Sequence, residues 1–150
     1  MTTIRTFMTD DHRRCDDLFA EAEQAIGKKN LPAARAAFGH FRSALLAHFD
    51  CEEKTLFPTF EAKTGMRMGP TQVMRMEHGQ MRALLDEAVD ALEQANPDDF
   101  LGLADTLLIM MQQHNMKEEN ILYPMCDQHL AAQQATLLTQ LKDTIGGAIK

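Results

Sequence analysis

A phrase written twice constrains this chain more than any other feature. His48 to Pro58 reads HFDCEEKTLFP, and His114 to Pro124 reads HNMKEENILYP. Both carry a His, a Glu four residues on, a second Glu, then Leu, an aromatic and Pro. The offset from His48 to His114 is 66 residues, and the same offset carries Asp11-His12 onto Glu77-His78. Each half is therefore a segment with one His, a turn, and a segment with His-x-x-x-Glu. Self-similarity of this kind predicts an internal duplication, here of a helical hairpin.

The periodicity supports helices throughout. Strand signals are weak: β-branched residues are scattered and no hairpin dipeptide separates alternating runs. Segment A is expected to start near Thr9 or Asp10, as its cap, and to end near Gly27. Segment B opens at Asn30-Leu31-Pro32 and closes at Gly65, and C runs from Gly69-Pro70-Thr71 to about Asn96. Segment D follows Pro97-Asp98 and reaches about His129. A shorter amphipathic piece from Ala131 to Ile145 ends at Gly146-Gly147. Pro58 and Pro124 are expected to kink or end the helices late in B and D.

Apolar residues recur at three- and four-residue steps. In A the stripe is His12, Cys15, Phe19, Ala22, Ile26. In B it is Phe38, Phe41, Leu45, His48, Glu52, Leu56. In C it is Met74, His78, Met81, Leu85, Ala88, Leu92. In D it is Leu103, Leu107, Met110, His114, Glu118, Ile121, Met125. Short connections between long helices predict antiparallel neighbours. The fold class is all-α: an up-down four-helix bundle with a short extra C-terminal helix and an internal two-fold repeat of hairpins. Residues 1–150 are expected to form a single domain.

Polar residues in the middle of these stripes break the pattern, and such breaks mark function. His12 lies 15 residues before Gly27, and His48 lies 16 after Pro32. At about 1.5 Å per residue these are one level in an antiparallel pair. His78 and His114 match within about a turn across the C/D connection. Four histidines, one per helix, are thus expected in one layer. Glu52 and Glu118 stand one turn further along the same faces, and B and D run parallel, so both displace the same way. Buried imidazoles and carboxylates without countercharges are costly. A metal centre resolves that cost, and a nitrogen-plus-carboxylate set suits iron, zinc or manganese. Six protein donors exceed what one tetrahedral zinc needs, whereas two metals use all six.

On these residues the chain resembles the hemerythrin-like (HHE cation-binding) family over about residues 5 to 128. The resemblance implies a non-haem di-iron centre in which His12 and His48 bind one iron and His78 and His114 the other. Glu52 and Glu118 would bridge two iron ions, together with an oxo or hydroxo group. One position per six-coordinate iron then stays open for O2, NO or peroxide. Oxygen carriers of the family have a further His one turn before the third-helix His, where this chain has Met74. The four-His, two-Glu set is more similar to members linked to iron–sulfur repair, iron sensing and stress.

Composition excludes several other classes. The net charge is −7 with no basic block, which argues against nucleic acid or anionic membrane as partner. The longest apolar runs, such as Leu107 to Met111, cannot span a bilayer. The N-terminal MTTIRTFMTDDHRR lacks the apolar stretch of a secretory signal. Three cysteines without CxxC spacing fit a reducing cytoplasm, the expected location.

Residues near the six have mostly structural readings. His40 and His129 lack an i+4 carboxylate and are placed at the surface or in support of ligands. Glu53 and Glu119 point about 100° away from the proposed ligands, towards solvent or a supporting position. Asp11 and Glu77 are read mainly as helix N-terminal or surface charges, with orientation of the ligand imidazoles as the lesser alternative. Cys15 and Cys51 are read as core residues about 9 Å apart along the axis, too far for a disulfide, with a redox-sensitive thiol beside the metal as the lesser alternative. The methionines around Met66 to Met81 are read as core filling rather than a copper site, and Tyr123 as packing rather than radical chemistry.

Three functions follow as expectations. The first is a di-iron protein binding O2, NO or a related oxidant in sensing or stress response. The second is a peroxide- or NO-reducing or iron–sulfur repair-type enzyme at the same centre. Having no flavin or nucleotide motif, such an enzyme would take electrons from a donor protein. The third is a zinc-bound or metal-free helical interaction module.

Overall fold

Thr3 starts the first helix. Its hydroxyl accepts from the Thr6 backbone N–H, and the Thr6 side chain accepts from the Thr3 N–H, a reciprocal capping box. The Asp127 carboxylate takes the next free donors, the N–H groups of Ile4 and Arg5 at 2.8 and 3.1 Å. Helix α1 is therefore Ile4–Gly27. It begins well before the expected Thr9, because a cap and a distant carboxylate together satisfy an earlier helix start.

The computed structural model describes residues 2–149. Helix α2 is Leu31–Cys51, capped by Asn30, and α3 is Phe57–Thr64, which stops at Gly65 with φ 76°. Helix α4 is Pro70–Glu93, and α5 is Pro97–Lys117, capped by Asn96. Helix α6 is Tyr123–His129, followed by a 3-10 turn at Ala131–Gln133 and α7 at Gln134–Ile149. The tail helix passes through the glycine pair expected to end it. Among the described residues there is no strand.

The two prolines act differently from the expectation. The runs α2–α3 and α5–α6 do not break but pass through one wide π-turn each, at Glu52–Leu56 and Glu118–Leu122. The Phe57 N–H reaches the Glu52 carbonyl, and the Tyr123 N–H reaches the Glu118 carbonyl, both five residues back. Pro58 and Pro124 sit in the first turn beyond, where the missing N–H is tolerated and the widened turn relieves the ring's clash with the carbonyl four residues back. One inserted residue rotates everything after it by about 100°. So the D stripe does not continue to Ile121, which is 55% exposed, but to Leu122, Tyr123 and Cys126, all buried. Leu107 is buried as expected, but Leu103 and Met110 are only half-buried, and Phe100, Ala104 and Met111 face the core instead.

The result is an up-down bundle of two hairpins, α1/α2 and α4/α5, with α7 packed beside α2 and α1. Two apolar clusters fill it. One, toward the hairpin turns, holds Phe19, Phe38, Phe41, Leu85, Phe100 and Leu107. The other holds Ile4, Met8, Phe57, Phe60 and Tyr123, closed by Leu137, Leu138 and Leu141 of α7. Helices α1 and α4 and the continuous runs α2–α3 and α5–α6 each pass from one cluster to the other and leave a His between them. Met8 and Cys15 flank His12, Leu45 and Cys51 flank His48, and Met74 and Met81 flank His78. Among the described residues no helix is long and apolar enough to cross a membrane.

Candidate metal centre

All six residues singled out in the sequence meet in this layer. His12 and His48 are 2% and 1% exposed, His78 and His114 0% and 1%, and Glu52 and Glu118 0%. The histidines pair as expected, His12 with His48 at 4.5 Å between ring centroids and His78 with His114 at 4.9 Å. Glu118 Oε1 lies 3.2 Å from both His12 Nε2 and His114 Nε2. Glu52 Oε1 lies 3.1 Å from His78 Nε2 and 3.6 Å from His48 Nε2. Two donor groups therefore form, His78–His114–Glu52–Glu118 and His12–His48–Glu118, with Glu118 in both. The parallel course of α2 and α5 puts the two carboxylates between the two histidine pairs.

The opposite edge of each imidazole is held by a carboxylate. His48 Nδ1 lies 2.7 Å from Asp11, and His114 Nδ1 lies 2.8 Å from Glu77. His12 Nδ1 lies 2.7 Å from Glu119, and His78 Nδ1 lies 2.6 Å from Glu53. At these distances each Nδ1–H donates to a carboxylate and each Nε2 is aimed inward, as a lone pair whenever the imidazole is neutral. The four contacts obey the 66-residue repeat: Asp11 and Glu77 act within a hairpin, Glu53 and Glu119 between hairpins. This corrects the reading of Asp11 and Glu77 as helix-end or surface charges. A residue next to an inward His points about 100° round the helix. In a bundle that direction is the seam with the neighbouring helix, where the other His turns its Nδ1. Three of the four carboxylates are themselves held by cations: Asp11 by Arg14, Glu53 by Arg82 and Glu77 by Lys117.

The electrostatics describe donors crowded around a place for positive charge. Burial drives the Glu52 carboxyl up, and the Glu118 charge adds to it. Burial acts likewise on Glu118, but His114 and His12 outweigh it and hold that carboxyl well below its usual range. His12 is lifted to about 10, because hydrogen bonds to Glu118 and Glu119 overcome burial. His78 is lifted to about 9, because the Glu52 and Glu53 carboxylates at its two edges overcome burial. Glu52 Oε1, His78 Nε2, His114 Nε2 and Glu118 Oε2 have no hydrogen-bond partner although fully buried. Unpaired buried lone pairs converging on one layer are costly as they stand and fit a bound cation. Four imidazole nitrogens with carboxylate oxygens are the donor set of a transition metal with both nitrogen and oxygen ligands.

Apolar rings close the layer. Phe49 stacks on His78 at 4.0 Å, and Phe57 lies 5.8 Å from the same ring. Tyr123, at the position equivalent to Phe57, packs 5.7 Å from His12. It does more than pack. Its hydroxyl stands 2.7 Å from Glu52 Oε2, 3.0 Å from Glu118 Oε1, and 3.2 Å from Nε2 of both His12 and His48. The sequence reading missed this, because the π-turn that swings Tyr123 inward has no periodic signature; Pro124 is the one local hint.

The remaining residues lie elsewhere. His40 and His129 are exposed, His129 with its edge toward Phe60. Met74 is buried in the α7-side cluster and Met81 in the other, while Met68 and Met76 are exposed, so these thioethers do not converge. Cys15 and Cys51 fall in opposite clusters, and all three cysteines are free.

The sequence profile of the hemerythrin HHE cation-binding domain matches residues 3–126, and the chain belongs to this family. Comparison with curated proteins and with solved structures returned no significant match.

Proposed function

We propose that the chain is a non-haem di-iron protein that binds O2, NO or a related small oxidant and acts in sensing or stress response. The observation that carries this reading is the arrangement of the four histidines. Each turns its Nε2 inward, and each Nδ1 is pinned by its own carboxylate. Imidazoles oriented this way are good metal ligands, since the outer carboxylate sets both tautomer and basicity. His12 and His48 would hold one iron, His78 and His114 the other, with Glu52 and Glu118 shared between them. A bound iron pair supplies positions at which a small ligand is taken up and electrons are exchanged.

The protein's own part is to exclude water and hold geometry. Phe49 and Phe57 on one side and the α7-side cluster above keep the layer dry. The carboxylates of the layer are all shared by imidazoles, so none of them stands as an independent acid or base. That favours binding and signalling over turnover.

Metal analysis after aerobic purification from iron-supplemented expression tests the reading. About two irons per chain, with charge-transfer bands of a coupled pair, are expected. Zinc alone, or less than about one iron per chain, overturns it. Stopped-flow mixing of the reduced protein with O2, NO and peroxide then separates a stable adduct from turnover.

A further inference from the structure

We propose that Tyr123 is itself a metal ligand at the His12–His48 position, so that the external small ligand is taken at the His78–His114 position. The inference rests on the metal reading above and extends it to a residue outside the six.

The Tyr123 oxygen is surrounded by His12 Nε2, His48 Nε2, Glu52 Oε2 and Glu118 Oε1, all within 3.2 Å. The Nδ1–H groups of both histidines are committed to Glu119 and Asp11, so both Nε2 atoms turn to the phenol oxygen. Two carboxylate oxygens and two imidazole nitrogens therefore crowd one hydroxyl, among residues no more than 2% exposed. A single O–H cannot bond to all four, whichever Nε2 carries a proton in the metal-free protein. A cation among them satisfies all of them at once.

A six-coordinate metal with bonds of about 2.1 Å sets neighbouring donors about 3.0 Å apart. The Tyr123 oxygen lies 2.7, 3.0, 3.2 and 3.2 Å from the four atoms named, and Glu118 Oε1 lies 3.2 Å from His12 Nε2. These are the edges of a coordination polyhedron with the phenol oxygen as one corner. On metal binding the O–H bond is exchanged for an O–metal bond, and the proton leaves to solvent.

The symmetry of the repeat is broken at this residue. The residue equivalent to Tyr123 is Phe57, which lies against His78 as Tyr123 lies against His12 but has no oxygen to offer. The His12–His48 position thus has five protein donors: two imidazoles, Glu52, Glu118 and Tyr123. The His78–His114 position has four, and its walls are the Phe49 and Phe57 rings. The less occupied, apolar side is where a small neutral ligand fits.

Tyr123 is the chain's only tyrosine, so isotopic labelling of tyrosine reports on this residue alone. The test is resonance Raman and visible spectroscopy of the aerobically purified iron protein, with natural and ring-deuterated tyrosine, beside Tyr123→Phe. A phenolate-to-iron(III) band is expected whose ring modes shift on deuteration and vanish in Tyr123→Phe. Iron content should be retained and affinity lowered about tenfold. Azide, used as probe of open positions on the ferric protein, should bind once per centre in the wild type and twice in Tyr123→Phe. A protein that holds two irons but shows no deuterium-sensitive phenolate mode overturns the assignment and leaves the di-iron reading standing. A protein without iron overturns both.

Discussion

Glu53→Ala isolates what the outer carboxylates contribute. The substitution removes an oxygen 2.6 Å from His78 Nδ1 and 2.8 Å from Arg82, without touching any inward-facing donor. Carboxylates that orient metal-binding imidazoles contribute about 10- to 100-fold in metal affinity, or about 1.4 to 2.7 kcal/mol. The Glu53 side chain is 23% exposed, so water can replace the lost acceptor on Nδ1. That places the expected loss near the lower end, about tenfold. Glu53→Gln keeps a carbonyl acceptor and should fall between the alanine variant and the wild type. Glu52→Ala removes a fully buried carboxylate shared by both histidine pairs and should eliminate stable binding of a metal pair. The assay is anaerobic iron(II) titration against a chromophoric chelator, with helicity checked by circular dichroism. The reasoning is refuted if Glu53→Ala binds as tightly as the wild type. It is equally refuted if Glu53→Ala is as damaging as Glu52→Ala, since Glu53 would then be a ligand.

Three further outcomes are expected. In the metal-free protein His12 and His78 are held at about 10 and about 9, above their ordinary 6.5. Their stabilisation is complete below about pH 6.5 and lost as pH rises through 9 and 10. Metal binding needs neutral imidazoles, so uptake near pH 7 should release protons to a weakly buffered indicator dye, and affinity should rise with pH; proton-neutral uptake contradicts this. Phe49→Ala removes the ring stacked 4.0 Å from His78 and should lower the denaturant-measured stability of the metal-free protein by about 3–5 kcal/mol; a loss under about 1 kcal/mol would show that the ring is not part of the packed layer. Burial drives the Cys15 thiol up to about 12 and the Cys51 and Cys126 thiols up as well. All three should therefore be inert to a thiol reagent in the native state and titrate fully on unfolding; fast labelling of the folded protein contradicts this burial.

Much of the centre is legible without coordinates because helical geometry is local. A period of 3.6 residues puts His48 and Glu52 on one face whatever surrounds them. Equal distances from a short turn put His12 level with His48, and the repeat carries the same logic to His78, His114 and Glu118. What the sequence could not show depends on which helices are neighbours. Asp11 looks like a surface charge until α2 is beside it; then it is the partner of His48. Glu119 looks solvated until α1 brings His12 within 2.7 Å.

By itself, the sequence determined that the chain is four helices written as two copies of one hairpin, with one His per helix and two acids held a turn further on. Those features follow from periodicity and duplication alone. Only the tertiary structure decided the pairing of each imidazole with its carboxylate, the closure of the site by α7 and the inward swing of Tyr123. The first two are contacts between distant segments, set by packing. The third comes from a π-turn that inserts one residue into the helical register, so that a side chain the regular spiral would turn aside points into the centre.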